Sequence, residues 1–197
     1  MELRPAPIID ALGALLREVG PSVLFGHSLG AALASKVIDV EPDLMTALVA
    51  LSPAVFGNVP TERSPAPLGQ LVVQDRTRIE DIFTNSDRFP HGFIDDYERS
   101  LCPLSPAVHN ALGNMDGEGG LVIHEVDKLR ALPRMVVVGE QDRATPPART
   151  RAIAQFLHVD QVVTGPTWGI EGFGHMIPIE LGSEEILFKV LDSLPIG

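Results

Sequence analysis

Gly26-His27-Ser28-Leu29-Gly30 stands between a short apolar run, Val23-Leu24-Phe25, and a stretch of small residues from 31 to about 40. The run reads as a strand and the small-residue stretch as a helix stopped by Glu41-Pro42. A strand that becomes a helix within five residues must pass through a tight turn. G-x-S-x-G suits a turn that holds its serine in a strained conformation at the end of a sheet. Both glycines are expected to be required, because a side chain flanking the serine would collide with strand or helix. At this chain's Gly and Ser frequencies the bare pattern arises by chance in roughly one chain in twelve of this length, so its context carries the weight.

The elements around it agree with that context. Ile8-Ile9, Leu12, Leu15-Leu16 and Val19 recur at helical spacing, with Pro7 at the start and Gly20-Pro21 closing the helix. Residues 46–51 read as a buried strand ending at Ser52-Pro53, and 134–139 as the clearest strand of the chain. A helix is predicted over 146–157, a short strand over 161–164, and an amphipathic helix from Glu184 to about 191. Continuous apolar strands alternating with helices point to an α/β fold, a mostly parallel sheet covered on both faces. Between 56 and 132 the alternation lapses into a Pro-, Asp- and Arg-rich segment with helix-like pieces near 78–83, 93–101 and 106–112. We read 56–132 as a helical cap or lid inserted into one domain spanning 1–197; an ordinary set of surface helices is the plainer alternative.

Composition narrows the function classes. The 197 residues carry 15 Lys+Arg against 26 Asp+Glu, a net charge of −11. That balance argues against nucleic acid or an anionic membrane as partner. Cys102 is the only cysteine, so no intrachain disulfide and no Cys-based zinc site can form, and no pair of histidines has HExxH spacing. The apolar stretches are too short to span a membrane and no targeting segment is visible, so a cytoplasmic location is expected.

A nucleophilic serine needs a base, and the base needs an orienting acid. The clearest strand runs into Gly139-Glu140-Gln141-Asp142-Arg143-Ala144-Thr145-Pro146, which places Asp142 in the loop beyond a strand's carboxyl end, where catalytic groups of parallel sheets collect. The next strand leads to Gly172-Phe173-Gly174-His175-Met176-Ile177-Pro178, which places His175 in a Gly-rich loop before the last helix. Ser, Asp and His therefore follow in that order, each beyond a separate strand. The bland readings are a helix N-cap for Ser28, a cap on the following helix for Asp142 and a satisfied loop histidine for His175.

On these three motifs, G-H-S-L-G, G-E-Q-D-R-A-T-P and G-F-G-H-M-I-P, the chain resembles the α/β-hydrolase superfamily from about residue 8 to the C-terminus. The resemblance implies Ser28 as nucleophile, Asp142 as orienting acid, His175 as general base and the Leu29 amide as one oxyanion donor, in the serine-using, cap-bearing branch. It implies hydrolysis of an ester or related acyl substrate through an acyl-enzyme, with no cofactor and no metal. His27, Trp168 and Met176 are candidates to line the substrate pocket, with packing as the alternative role for each. The chain departs from the family at its front. Only about 22 residues precede the elbow strand, so ~60–90 residues of the family's N-terminal half are expected to be missing, along with the loop that donates the second oxyanion N–H. Two expectations follow: an exposed strand edge that favours a homo-oligomer, and a rival reading as a catalytically impaired remnant or interaction module.

Overall fold

The computed structural model describes residues 4–194. In chain order the elements are α1 (Pro5–Val19), β1 (Ser22–His27), α2 (Leu29–Lys36), β2 (Met45–Leu51), α3 (Arg76–Arg78), α4 (Ile94–Ser100), α5 (Pro106–Ala111), α6 (Val126–Ala131), β3 (Arg134–Val138), α7 (Pro147–Leu157), β4 (Gln161–Val163), α8 (Thr164–Trp168) and α9 (Ser183–Ser193). A π-helical turn, Ile79–Phe83, continues α3, and short 3-10 turns lie at Val37–Asp39, His91–Phe93, Leu112–Asn114 and Ile177–Ile179.

The four strands form one parallel sheet in the order β1-β2-β3-β4. Leu24 sits beside Leu48, Ala50 beside Val136, and Val138 beside Val163. Both faces are covered, which is why the strands read as unbroken apolar runs. Side chains alternate along β2 and β3, so Leu48, Ala50 and Val136 enter one core with Ile38, Ile153 and Leu157. Val49 and Val137 enter the other, with Phe173, Ile177, Ile186 and Val190. Among the described residues β1 pairs with β2 alone, and Phe25 on it is 43% exposed.

Most predicted boundaries fall within a residue or two of the observed ones, and two of the shifts have a visible cause. The helix expected to reach about 40 ends at Lys36, because Asp39 turns away to accept hydrogen bonds from the His124 and Glu125 amides and to pair with Lys36. The strand expected over 161–164 stops at Val163. Thr164 begins α8 and donates its hydroxyl to Glu140 Oε2 at 2.5 Å.

The chain between β2 and β3 does more than one job. Phe56, Val59, Ala111, Leu112, Leu121 and Ile123 belong to the first core, so both ends of this insertion pack with the sheet. Asn58 stitches them together by accepting from the Ile123 amide and donating to its carbonyl. The middle, by contrast, meets the loop that carries His175: the Phe83 ring lies 5.4 Å from the imidazole, and the Tyr97 hydroxyl donates to Met176 Sδ at 3.4 Å.

Candidate active site

Ser28 links β1 to α2 with φ 51° and ψ −121°, a conformation that costs a non-glycine residue about 1–3 kcal/mol. The surroundings hold it there. Its N–H donates to the Leu51 carbonyl, and its own carbonyl accepts from Ala31 and Ala54. A Cβ on Gly26 would lie 2.4 Å from the Ala31 Cα and 2.7 Å from the Gly30 carbonyl oxygen, so only glycine lets strand and helix approach this closely. Gly30 is different. A Cβ there would meet nothing within 4 Å, so the expectation that both flanking glycines are required holds for Gly26 alone. Gly30 already sits in the first turn of α2, and it helps line an apolar cavity of about 330 Å³ with Ile8, Leu12, Leu33 and Phe25.

Leu29 opens α2, and its N–H bonds to no acceptor among the described residues. That free amide at a helix N-terminus is suited to stabilise negative charge beside Ser28.

Asp142 lies in the loop just beyond β3, and His175 in the loop that follows β4 and α8. Asp142 is 2% exposed and accepts the His175 Nδ1 proton, at 3.0 Å to Oδ2 and 3.2 Å to Oδ1. Thr145 supplies two further donors, its N–H to Oδ1 and its hydroxyl to Oδ2, both at 2.8 Å. Burial alone would push the Asp142 carboxyl up. The hydrogen bond and charge of His175, with the Thr145 amide and hydroxyl, outweigh it and hold the carboxyl below the usual carboxylate range. With Nδ1 donating to Asp142, Nε2 is left to accept from the Ser28 hydroxyl at 3.1 Å.

His27 donates from Nε2 to the carbonyl of His175 at 2.7 Å, and the two rings lie 5.0 Å apart. Burial, reinforced by the neighbouring His175, lowers the His27 pKa to about 4, so the ring is neutral and fixed as a donor. Two apolar cavities share His27 and Phe25 as lining: the one beneath Gly30 and another of about 420 Å³ walled by Leu51, Ile177 and Ile186.

The structure thus brings Ser28, Leu29, His27, Asp142, His175 and Met176 together. It does not bring Trp168 to them: that ring ends α8 and packs against the core of Val49, Val137 and Phe173, the alternative role weighed for it. Three contributors are not legible in the sequence. Thr145 is flagged only as part of a loop motif, Phe83 lies in the irregular insertion, and Glu180 carries no motif of its own. Among the described residues no set of three His, Cys, Asp or Glu side chains could hold a metal ion, and no helix is long and apolar enough to cross a membrane.

A family model described as the alpha/beta hydrolase family matches residues 2–181. No curated protein matches the chain. Among solved structures, a monoacylglycerol lipase from Paleococcus ferrophilus is 18% identical with a TM-score of 0.64, covering 97% of this chain and 75% of its own. A methylesterase from Arabidopsis is 11% identical with a TM-score of 0.69, covering 96% and 77%. An esterase from Thermogutta terrifontis, solved with malate bound, is 19% identical with a TM-score of 0.59, covering 96% and 74%. At these identities the likeness is one of fold.

Proposed function

The chain belongs to the alpha/beta hydrolase family, and on that premise we propose that it is a serine hydrolase acting on an ester or related acyl substrate. The observation that carries this reading is the hydrogen-bonded line from Ser28 through His175 to Asp142, at 3.1 Å and 3.0 Å, built from residues beyond three different strands. In the reaction so proposed, Ser28 Oγ attacks the acyl carbonyl while His175 Nε2 takes its proton. Asp142 holds the imidazole in the tautomer that can accept that proton and stabilises the resulting imidazolium. The Leu29 amide faces the developing oxyanion; one such donor is typically worth a factor of about 10²–10³ in kcat. His175 then returns the proton to the leaving group and activates water against the acyl-enzyme. We read the part of the insertion around Phe83 and Tyr97 as a cover over the His175 side of the site, a reading supported by the contacts of Phe83 with His175 and of Tyr97 with Met176.

The test is hydrolysis of short p-nitrophenyl esters together with labelling by a fluorophosphonate, which needs an activated serine but no correct substrate. We expect both with the wild-type chain and neither with folded Ser28→Ala. Turnover that survives in Ser28→Ala would remove Ser28 from the mechanism. Labelling without turnover would indicate an activated serine in a site lacking adequate oxyanion support. Neither labelling nor turnover by the folded wild-type chain would favour the interaction-module reading.

A further inference from the structure

We propose that Glu180 is a positioning residue for His175: its buried carboxylate grips the two backbone amides that flank the histidine and ties them to the insertion through Ser86. The proposal rests on the hydrolase reading above and concerns how that site keeps its base in place.

Glu180 lies five residues beyond His175 and is 2% exposed. A carboxylate is rarely carried into such a place unless its oxygens are met by donors. Here they are. Oε2 accepts from the Gly174 N–H at 2.9 Å, and Oε1 accepts from the Met176 N–H at 3.2 Å and from the Ser86 hydroxyl at 2.8 Å. The first two donors are the amides on either side of His175. The third, itself fully buried, comes from the chain between β2 and β3.

Gly174 makes this approach possible. A Cβ at that position would stand 2.6 Å from the Ser86 Cβ and 3.0 Å from Glu180 Oε1, so the second glycine of G-F-G-H leaves room for the carboxylate and the serine. Ser86 is held in turn. Asn85 donates to the Gln141 carbonyl, the Asp87 amide donates to Gln141 Oε1, and the Leu181 amide donates to the Arg88 carbonyl. Residues 85–88 therefore bind the loop of Asp142 and the loop of His175 at once, and Glu180 is the buried member of that junction.

A loop with glycines on both sides of Phe173 is intrinsically loose. Yet His175 must satisfy Asp142 and Ser28 together, and neither distance tolerates drift. Only an acceptor with two oxygens can take both amides and the hydroxyl. Glutamine has the same shape but would present an NH₂ group to one of these donors, which breaks the clamp without opening a cavity.

The experiment compares Glu180→Gln and Ser86→Ala with wild type by steady-state kinetics and by the downfield proton resonance of the His175 Nδ1–H shared with Asp142. We expect Glu180→Gln to lower kcat by about 10- to 100-fold, the usual cost of a misplaced catalytic group, with KM changed less than about twofold. The downfield resonance should shift or broaden. Ser86→Ala, which leaves both amide bonds in place, should move both readouts in the same direction by less. A folded Glu180→Gln with wild-type kcat and an unmoved resonance would overturn the proposal. If Glu180→Gln does not fold, unchanged kcat and resonance in Ser86→Ala would overturn it instead. Absence of turnover and of fluorophosphonate labelling in wild type would sink the hydrolase reading, while the resonance would still decide the clamp.

Discussion

Gly26→Ala and Gly30→Ala differ by four positions in one motif and should have opposite effects. In Gly26→Ala the new methyl would sit 2.4 Å from the Ala31 Cα, 2.7 Å from the Gly30 carbonyl oxygen and 2.8 Å from the Ala31 nitrogen. All three are backbone atoms, so no side chain can rotate away, and strand and helix must part by about 1 Å in a region packed at crystal-like density. Overpacking of this kind typically costs about 1–3 kcal/mol. Gly30→Ala meets no atom within 4 Å, and its backbone is already helical in α2. Replacing glycine by alanine where the conformation suits both is worth up to about 0.4–1 kcal/mol of added stability. The two variants should therefore differ by about 1.5–4 kcal/mol in urea unfolding, with wild type between them. Labelling by a fluorophosphonate should fall steeply in Gly26→Ala, since parting α2 from β1 shifts Ser28, at their junction, out of line with His175 Nε2, and should persist in Gly30→Ala. Equal destabilisation by both substitutions would refute the argument, because it would mean that the space beside Gly30 is filled.

Two further outcomes are expected. Thr145→Val keeps the shape of a buried side chain but removes the hydroxyl that donates to Asp142. It should cost about 1–3 kcal/mol in urea unfolding, and a variant as stable as wild type would show that the contact contributes nothing. His27, with its pKa lowered to about 4 in the folded chain against 6.5 unfolded, binds fewer protons folded than unfolded across that window. Its contribution is thus present above about pH 6.5 and lost as pH falls towards 4. The stability of wild type relative to His27→Gln should accordingly grow by roughly 2–3 kcal/mol over that rise in pH, and a constant difference would contradict the assignment.

The parallel sheet and the order Ser28, Asp142, His175 were legible because each rests on short-range signals. Apolar runs mark strands buried on both faces, and the loops beyond them carry the polar residues. What was not legible depends on contacts between distant segments. Ser86 and Glu180 are 94 residues apart, and nothing around either announces the other. Thr145 is an ordinary turn residue until Asp142 is seen to need two donors. Gly30 failed as an inference for the same reason: its neighbours are set by tertiary packing, which a five-residue pattern does not contain. Nearness to His175 in sequence suggests Trp168 as pocket lining, whereas the half-buried ring at the end of α8 packs against the core of Val49, Val137 and Phe173.

The long excursion between β2 and β3 bears on how such a chain can diversify. Loop-closure entropy rises only logarithmically, so doubling the length of a connection between two paired strands costs about 0.6 kcal/mol. The register of Leu51 beside Val137 is thus nearly indifferent to how much chain intervenes. Insertions and deletions can accumulate there while the strands that present Ser28 and Asp142 stay in place. Not every stretch is equally free. Phe56 and Ile123 are committed to the core, and residues 85–88 are committed to the two loops that bear Asp142 and His175. The stretch from 62 to 74, largely exposed and tethered at Ala66 by Asn110 and at Val72 by Leu104, is where length and composition could drift with least consequence for the chemistry.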